Sequence, residues 1–238
     1  MTSLEEQRHY YTSRWQTFSH ANLIELSRAA AILSAIDTLA LEESPSICDL
    51  GCGAGWLTSI LGMFGPTLGV DLADVSVPQQ RYPHCQFISA DILCWDGPEE
   101  AFDVVVSQEV IEHIDWEKQI DYAAKAASLL RPGGHLILTT PNARTLKAMP
   151  NEGRDWTHQP LENWLTRSQL SGILKEHFCE VSLRSFVFGI GSAGSYRVAN
   201  SHKVRLTLKR AGLNKAFDAV LSRANYGVHF LAVGRKRE

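Results

Sequence analysis

The chain has 238 residues, enough for one globular domain with a modest extension. Hydrophobic residues make up 45% and charged residues 21%, which are ordinary figures for a soluble protein. The formal net charge is −3 and no basic run stands out, so the composition favours neither a nucleic acid nor an anionic membrane as partner.

The cysteines and the N-terminus indicate a cytoplasmic protein. Five cysteines occur without a CxxC pair, a pattern typical of reduced thiols rather than of a disulfide framework. The first residues are polar and acidic, unlike a secretory signal. No apolar stretch approaches the roughly 20 residues that a membrane-spanning helix needs.

Residues 1–44 are predicted to form a helical N-terminal cap on a domain over residues 45–238. An apolar stripe from Leu23 to Leu39 recurs at helical spacing and stops near Pro45, so this second helix is expected to pack on the sheet. Before it lies an aromatic patch, for which packing and a lid over a ligand both remain open. This patch contains Tyr10, Tyr11, Trp15 and Phe18.

The most informative stretch, Ser46 to Asp71, reads as strand, glycine-rich turn, helix and strand. Gly51, Gly53 and Gly55 stand at alternate positions, which lets the backbone pass close to a ligand. The following helix points its N-terminal amides at the turn. A carboxylate at the tip of the second strand is well placed to accept two ribose hydroxyls. The stretch therefore predicts a nucleoside-containing cofactor at the carboxyl end of a parallel sheet.

The glycine pattern separates two cofactor classes. Trp56 stands where the dinucleotide fingerprint needs a further glycine, so the turn is poorly suited to bind a pyrophosphate. The pattern DLGxGxG over residues 49–55 instead resembles motif I of the class I S-adenosylmethionine-dependent methyltransferases. The later LRPGG followed by an apolar strand is also a landmark of that family, so the resemblance covers roughly residues 46–142.

The rest of the chain predicts a doubly wound, Rossmann-like α/β fold with seven mostly parallel strands and helices on both faces. A short irregular helix is expected between Leu72 and Pro83. The later strands are predicted over His84–Ala90, Phe102–Ser107, His135–Thr140, Phe178–Phe188 and Asn225–Lys236, the last antiparallel. The later helices are predicted from after Ile114 to about Leu130, from Thr166 to Glu176, and over residues 203–222, the last basic and amphipathic.

The resemblance implies how S-adenosylmethionine would be bound. In that family the turn holds the methionine part, the acid after the second strand holds the ribose, and residues after the third strand hold the adenine. The implied cofactor-binding residues are Asp49, Gly51, Gly53, Gly55, Asp71, Leu72, Asp91, Ile92, Ser107 and Gln108.

The candidates for chemistry follow the fourth strand. Glu109, Glu112 and His113 stand at i, i+3 and i+4, so one helical face would carry all three. His113 or Glu109 is predicted to orient or deprotonate an acceptor hydroxyl. The same face, with His158 as a fourth ligand, would suit a divalent metal. The EVIEH string resembles both quinone-biosynthesis O-methyltransferases and small-RNA 2′-O-methyltransferases.

The sequence therefore predicts an S-adenosylmethionine-dependent enzyme that methylates a hydroxyl of a small molecule. A metal-dependent RNA 2′-O-methyltransferase, a catalytically silent cofactor-binding subunit and a nicotinamide oxidoreductase remain alternatives. Specificity is expected to reside in residues 143–165 and 186–202. The candidates for an aromatic wall of the acceptor pocket are Trp156, Trp164, Phe188 and Tyr196.

Overall fold

The computed structural model describes residues 3–148, 159–188, 194–199 and 201–237. Seven strands form one sheet in the order β3-β2-β1-β4-β5-β7-β6. Strand β7 is antiparallel to its two neighbours, and all other neighbouring strands are parallel, which confirms the predicted doubly wound fold. The strands are β1 Ile47–Leu50, β2 Thr67–Asp71, β3 Gln86–Ser89, β4 Phe102–Gln108, β5 Leu130–Pro141, β6 Phe178–Phe186 and β7 His229–Lys236.

Helices cover both faces of the sheet. They are α1 Leu4–Gln16, α2 Leu23–Ile36, α3 Trp56–Leu61, α4 Ser76–Arg81, α5 Gln119–Leu129, α6 Ala143–Lys147, α7 Arg167–His177, α8 Gly194–Ala199, α9 His202–Arg210 and α10 Asn214–Arg223. Within the described ranges, none of the helices is long and apolar enough to cross a membrane.

The central strands lie between two apolar layers. Val104, Val105 and Val106 of β4 are all completely buried. On one face β4 packs against α5 and α7, and on the other it packs against α2 and α3. This explains the uninterrupted apolar run of β4, because a strand covered on both sides has no solvent-facing position. The packing predicted for the second helix is confirmed by the buried side chains of α2.

The shared helical face predicted for Glu109, Glu112 and His113 is wrong. Glu109 has φ +56°, the left-handed conformation, so no α-helix can continue through it. Short 3₁₀ turns follow at Ile111–His113 and Trp116–Lys118, and α5 begins only at Gln119. Glu109 therefore does not share a helical face with Glu112 and His113.

Several other element boundaries differ from the prediction. The helix over residues 203–222 is two helices, because Gly212 adopts φ +72° and ends the first of them. Strand β5 begins at Leu130, five residues early, with a register shift against β4 between Phe102 and Val104. Strand β7 begins at His229, and β6 ends at Phe186.

The connection between β6 and β7 lies at the edge of the sheet where the parallel strands end. Strand β6 is antiparallel to β7 and β7 is antiparallel to β5, so β6 runs in the same direction as β5. Helices α8, α9 and α10 therefore leave and re-enter the sheet at the carboxyl ends of the parallel strands. This is the edge at which ligands bind in open α/β sheets.

Candidate active site

A cavity of about 510 Å³ lies at the carboxyl ends of β1, β2 and β4, beneath α1 and the start of α2. It is lined by eight of the ten predicted cofactor residues, namely Asp49, Gly51, Gly53, Asp71, Leu72, Asp91, Ile92 and Gln108. The other two do not line it. Ser107 is fully buried, with its hydroxyl 2.7 Å from the Tyr122 hydroxyl. Gly55 begins α3, where a Cβ would collide with Pro78 and Phe87.

The glycine turn forms the floor of the cavity. Gly51 and Gly53 adopt φ +77° and +53°, which a residue with a side chain rarely adopts. A Cβ on Gly51 would collide with Val110, and a Cβ on Gly53 would lie 3.0 Å from the indole of Trp15. The bare backbone thus leaves room that any side chain would fill.

Asp71 ties the end of β2 to the glycine turn. Its Oδ2 accepts a hydrogen bond from the Gly53 amide at 2.7 Å, and its Oδ1 accepts one from the Ala73 amide at 2.8 Å. Burial raises the pKa of this carboxyl, and the two amides oppose the rise. Each carboxylate oxygen can accept more than one hydrogen bond, so both remain able to bind further hydroxyls.

Three buried polar groups at the other end of the cavity have unused hydrogen-bonding atoms. Asp49 accepts a hydrogen bond from the Thr58 hydroxyl at 2.6 Å through Oδ2, but its Oδ1 has no partner among the described residues. Burial raises the pKa of Asp49 to about 7. Gln108 Oε1 and Arg28 Nε likewise lack partners within the described ranges. Acceptors and a cationic donor together suit a ligand with both an ammonium and a carboxylate group.

Glu109 forms ion pairs with two residues from distant parts of the chain. Its Oε2 lies 2.9 Å from Arg28 Nη1 and 2.9 Å from His229 Nδ1. Burial opposes ionisation, but the charges of His229 and Arg28 outweigh it and hold the pKa of Glu109 at about 2. Such a carboxylate is a weak proton acceptor.

Neither partner of Glu109 was among the predicted site residues. Arg28 interrupts the apolar run of α2, and this buried cation is the one signal that the sequence offers. His229 lies in the final strand, where nothing in the pattern marks it.

His113 has the geometry of a neutral base. Its Nδ1 lies 2.6 Å from the Leu161 carbonyl oxygen, which assigns the proton to Nδ1 and leaves the Nε2 lone pair free to accept. Burial lowers the pKa of the imidazole. His113 lines the same cavity as the glycine turn.

Glu112 is buried beside His113, with 4.0 Å between its Oε1 and His113 Nε2. It accepts a hydrogen bond from the Thr140 hydroxyl at 2.9 Å. Burial, and next the charge of Glu109, raise the pKa of Glu112 well above its ordinary value.

The predicted metal ligands do not converge. In the part of the chain that the structure describes, no group of three or more His, Cys, Asp or Glu side chains is arranged to hold a metal ion. Glu109 is already engaged by Arg28 and His229. His158 and the aromatic candidate Trp156 lie outside the described residues.

Helix α1 covers the cavity with aromatic side chains. Tyr11 and Trp15 line it, with ring centroids 6.4 Å apart, and the Tyr11 ring lies 5.6 Å from that of His113. Trp164 also lines the cavity. The other aromatic candidates point elsewhere. Tyr196 lies 3.2 Å from the Thr145 hydroxyl, and Phe188 packs under the Arg205 guanidinium.

The fold places a glycine-rich turn, a buried carboxylate and an imidazole beside one cavity at the carboxyl ends of the parallel strands. A family model described as a methyltransferase domain matches residues 24–186, which is more than half of the chain. The chain therefore belongs to this family, the class I S-adenosylmethionine-dependent methyltransferases.

Individual relatives resemble the chain over part of their length. The ubiquinone biosynthesis O-methyltransferase of Roseobacter denitrificans is 27% identical over 168 residues, covering 60% of this chain and 63% of that protein. The trans-aconitate 2-methyltransferase of Escherichia coli is 32% identical over 123 residues, covering 50% of this chain and 47% of that protein. The chain thus spans less than two thirds of the curated relatives it matches.

A solved structure matches nearly the whole chain. The N-methyltransferase NodS from Bradyrhizobium japonicum, in complex with S-adenosylhomocysteine, has a TM-score of 0.64 at 16% identity. The match covers 98% of this chain and 100% of that one. At this identity the similarity shows the fold.

Proposed function

We propose that the protein transfers a methyl group from S-adenosylmethionine to a hydroxyl of a small molecule. One observation carries the proposal: a single cavity contains Asp71 at the tip of β2, unpartnered acceptors at the tips of β1 and β4, and a neutral His113 with a free Nε2. The first two features suit the two ends of the cofactor. The third suits a hydroxyl that must lose its proton.

The cavity residues fit the cofactor at both of its ends. Asp71 would accept hydrogen bonds from the ribose hydroxyls, and Asp91 with Ile92 would hold the adenine. Asp49 Oδ1 and Gln108 Oε1 would accept from the ammonium group, and Arg28 would face the carboxylate. When bound, the cofactor supplies an electrophilic methyl group on a sulfonium.

The hydrogen bonding and pKa shifts of the two candidates favour His113 over Glu109 as the base that deprotonates the acceptor. The Leu161 carbonyl fixes the imidazole tautomer, and burial keeps the ring neutral. Glu109 would instead position Arg28 and His229, because its own proton affinity is too low for general-base work. Tyr11 and Trp164 would exclude water, which strengthens the positioning effects on which methyl transfer depends.

Two observations support a small hydroxyl acceptor. The cavity volume of about 510 Å³ lies within the range of small-molecule sites. One similar protein is named an O-methyltransferase, which supports oxygen as the atom that is methylated.

The direct test is a panel of small hydroxyl compounds incubated with methyl-labelled S-adenosylmethionine, with and without Mg²⁺ or Mn²⁺. We expect labelled product from at least one hydroxyl compound and no dependence on the metal ion. Labelling of RNA alone, and only with metal, would instead identify a 2′-O-methyltransferase. Tight cofactor binding with no product from the whole panel would contradict the proposed reaction.

A further inference from the structure

Helices α9 and α10, between β6 and β7, carry a charge opposite to that of the rest of the chain. Residues 201–224, hereafter the basic hairpin, contain six Lys or Arg residues and one acidic residue, Asp218, although the whole chain has a formal net charge of −3. Asp218 is already paired, with its Oδ1 3.1 Å from Arg205 Nη1. The hairpin therefore carries an excess of positive charge.

The two helices of the basic hairpin present matching outer faces. On α9 the residues at positions 203, 206, 207 and 210 are exposed, and on α10 those at 216, 219, 220 and 223, which is the i, i+3, i+4, i+7 spacing of one helical face. Leu208, Phe217 and Leu221 lie on the inner side, where they are partly or fully buried. The hairpin is therefore a folded pair with a defined outer surface.

This outer surface mixes exposed apolar and basic side chains. Leu206, Leu213 and Val220 are 38%, 53% and 58% exposed and lie on one short helical hairpin, so they can form a single apolar patch. Basic residues precede and follow each of them along the chain. These exposed cations are Lys203, Lys209, Arg210, Lys215 and Arg223.

The surface lies on the same edge of the molecule as the cavity. The hairpin leaves β6 and returns to β7, whose first residue, His229, lines the cavity. It is fixed there because the Ser185 hydroxyl of β6 donates a hydrogen bond to the Ser222 carbonyl of α10 at 3.2 Å. The hairpin is therefore joined to the wall of the cavity through the start of β7.

We propose that the basic hairpin docks the protein on a bilayer that contains anionic phospholipids. Leu206, Leu213 and Val220 would enter the boundary between headgroups and acyl chains, and the surrounding cations would contact the phosphates. The alternation of cationic and apolar side chains over the whole hairpin matches a membrane interface, where both environments lie within one layer. This proposal does not depend on the reaction proposed above.

The test is sedimentation of the full chain with phosphatidylglycerol–phosphatidylcholine vesicles and with pure phosphatidylcholine vesicles. We expect binding to the anionic vesicles only, weakened as salt rises. The double variant Lys209→Gln/Arg210→Gln should lower the partition coefficient about 30-fold, the loss expected for two basic residues at an anionic surface. Leu213→Ser/Val220→Ser should also lower it, at unchanged charge.

Met63→Ser provides the matched control. Met63 is 82% exposed but lies between α3 and β2, at the opposite edge of the sheet, so its replacement should leave vesicle binding unchanged. Unaltered binding of S-adenosylhomocysteine would show that each variant is folded.

Several results would overturn the proposal. They are an absence of vesicle binding, equal binding to neutral vesicles, and an equal loss in Met63→Ser. Binding to soluble polyglutamate but not to vesicles would make the hairpin a surface for acidic proteins. A concentration-dependent dimer that is lost in Leu213→Ser/Val220→Ser would make it a self-association face.

Discussion

The pKa values of two carboxyl groups in one cavity are shifted in opposite directions by their surroundings. Burial, with a smaller contribution from the charge of Asp71, raises the pKa of Asp49 to about 7, because its single hydrogen bond from Thr58 does not compensate for the loss of water. Glu109 is equally enclosed, yet two cations hold its pKa at about 2. The buried charge at Asp49 is thus a cost to the free protein that a bound cation would offset.

Replacement of Asp49 should therefore stabilise the free protein. Since its pKa rises from 3.8 to about 7 on folding, the stability contributed by its neutral form is lost as pH increases through that interval. Asp49→Asn removes this loss and keeps an acceptor for Thr58. We expect the variant to be more stable than the original by about 2–4 kcal/mol at pH 8, and nearly equal to it at pH 4.

Denaturant unfolding at the two pH values measures this effect, with Asp96→Asn, an exposed carboxylate, as the control. S-adenosylmethionine should bind more weakly to Asp49→Asn, because a neutral amide replaces the carboxylate near the ammonium group. Equal stabilities at pH 8 would show that Asp49 is not destabilised in the folded protein.

His113 is the residue whose loss should affect turnover most. His113→Asn removes the free Nε2, so kcat should fall about 10²- to 10⁴-fold while cofactor affinity stays unchanged. Because burial lowers the imidazole pKa, the rate of the original enzyme should rise with pH below about 6.5 and level off above it. Initial rates across pH test both statements, and an identical acidic limb in the variant would exclude His113 as the base.

At the scale of elements, the strands and helix ends that depend on nearby residues could be predicted from the sequence. The strands β1, β2 and β4 were predicted closely, because each is a short apolar run bounded by turn residues. The capping box at Thr166 and Gln169 likewise begins α7. These features depend on neighbours only a few residues away.

The parts that were not predicted depend on contacts between distant residues. Glu109 takes a left-handed backbone while its side chain meets Arg28 and His229, which are far away in the sequence, so helical spacing gave the wrong geometry. The two-helix form of residues 202–223 depends on Gly212. The sequence pattern does not distinguish a glycine that ends a helix with a positive φ from one that is tolerated within a helix.

Helix α1 is expected to slow the dissociation of the ligand and to contribute little to the stability of the fold. It has no buried residue, and it meets the glycine turn through Trp15 over Gly53. Trp15→Ala should leave the unfolding midpoint unchanged within error but speed the dissociation of S-adenosylhomocysteine about 10-fold, because one wall of the cavity opens.

Stopped-flow dissociation measures the effect of Trp15→Ala. Trp116→Ala serves as the matched control, because Trp116 is 47% exposed and does not line the cavity. An unchanged dissociation rate for Trp15→Ala would show that α1 does not close over the ligand.

At the scale of the whole molecule, the carboxyl and amino ends of the parallel strands form two edges of the sheet that have different roles. The carboxyl edge carries the glycine turn, the cavity, α1 and the basic hairpin. The opposite edge carries structural contacts, such as the Asp103 carboxylate with the Ser46 amide and with Arg131. This division follows from the parallel sheet, whose helices leave the loops at the carboxyl ends free to hold ligands.

The central claim is that Asp71 at the tip of β2 holds the ribose of the cofactor, and calorimetric titration with S-adenosylhomocysteine tests it most directly. Asp71→Asn should weaken binding by about 1–3 kcal/mol, because ribose hydroxyls lose a charged acceptor. Asp74→Asn, an exposed carboxylate three residues away, should bind as the original does. Equal affinity of Asp71→Asn and the original protein would contradict the claim.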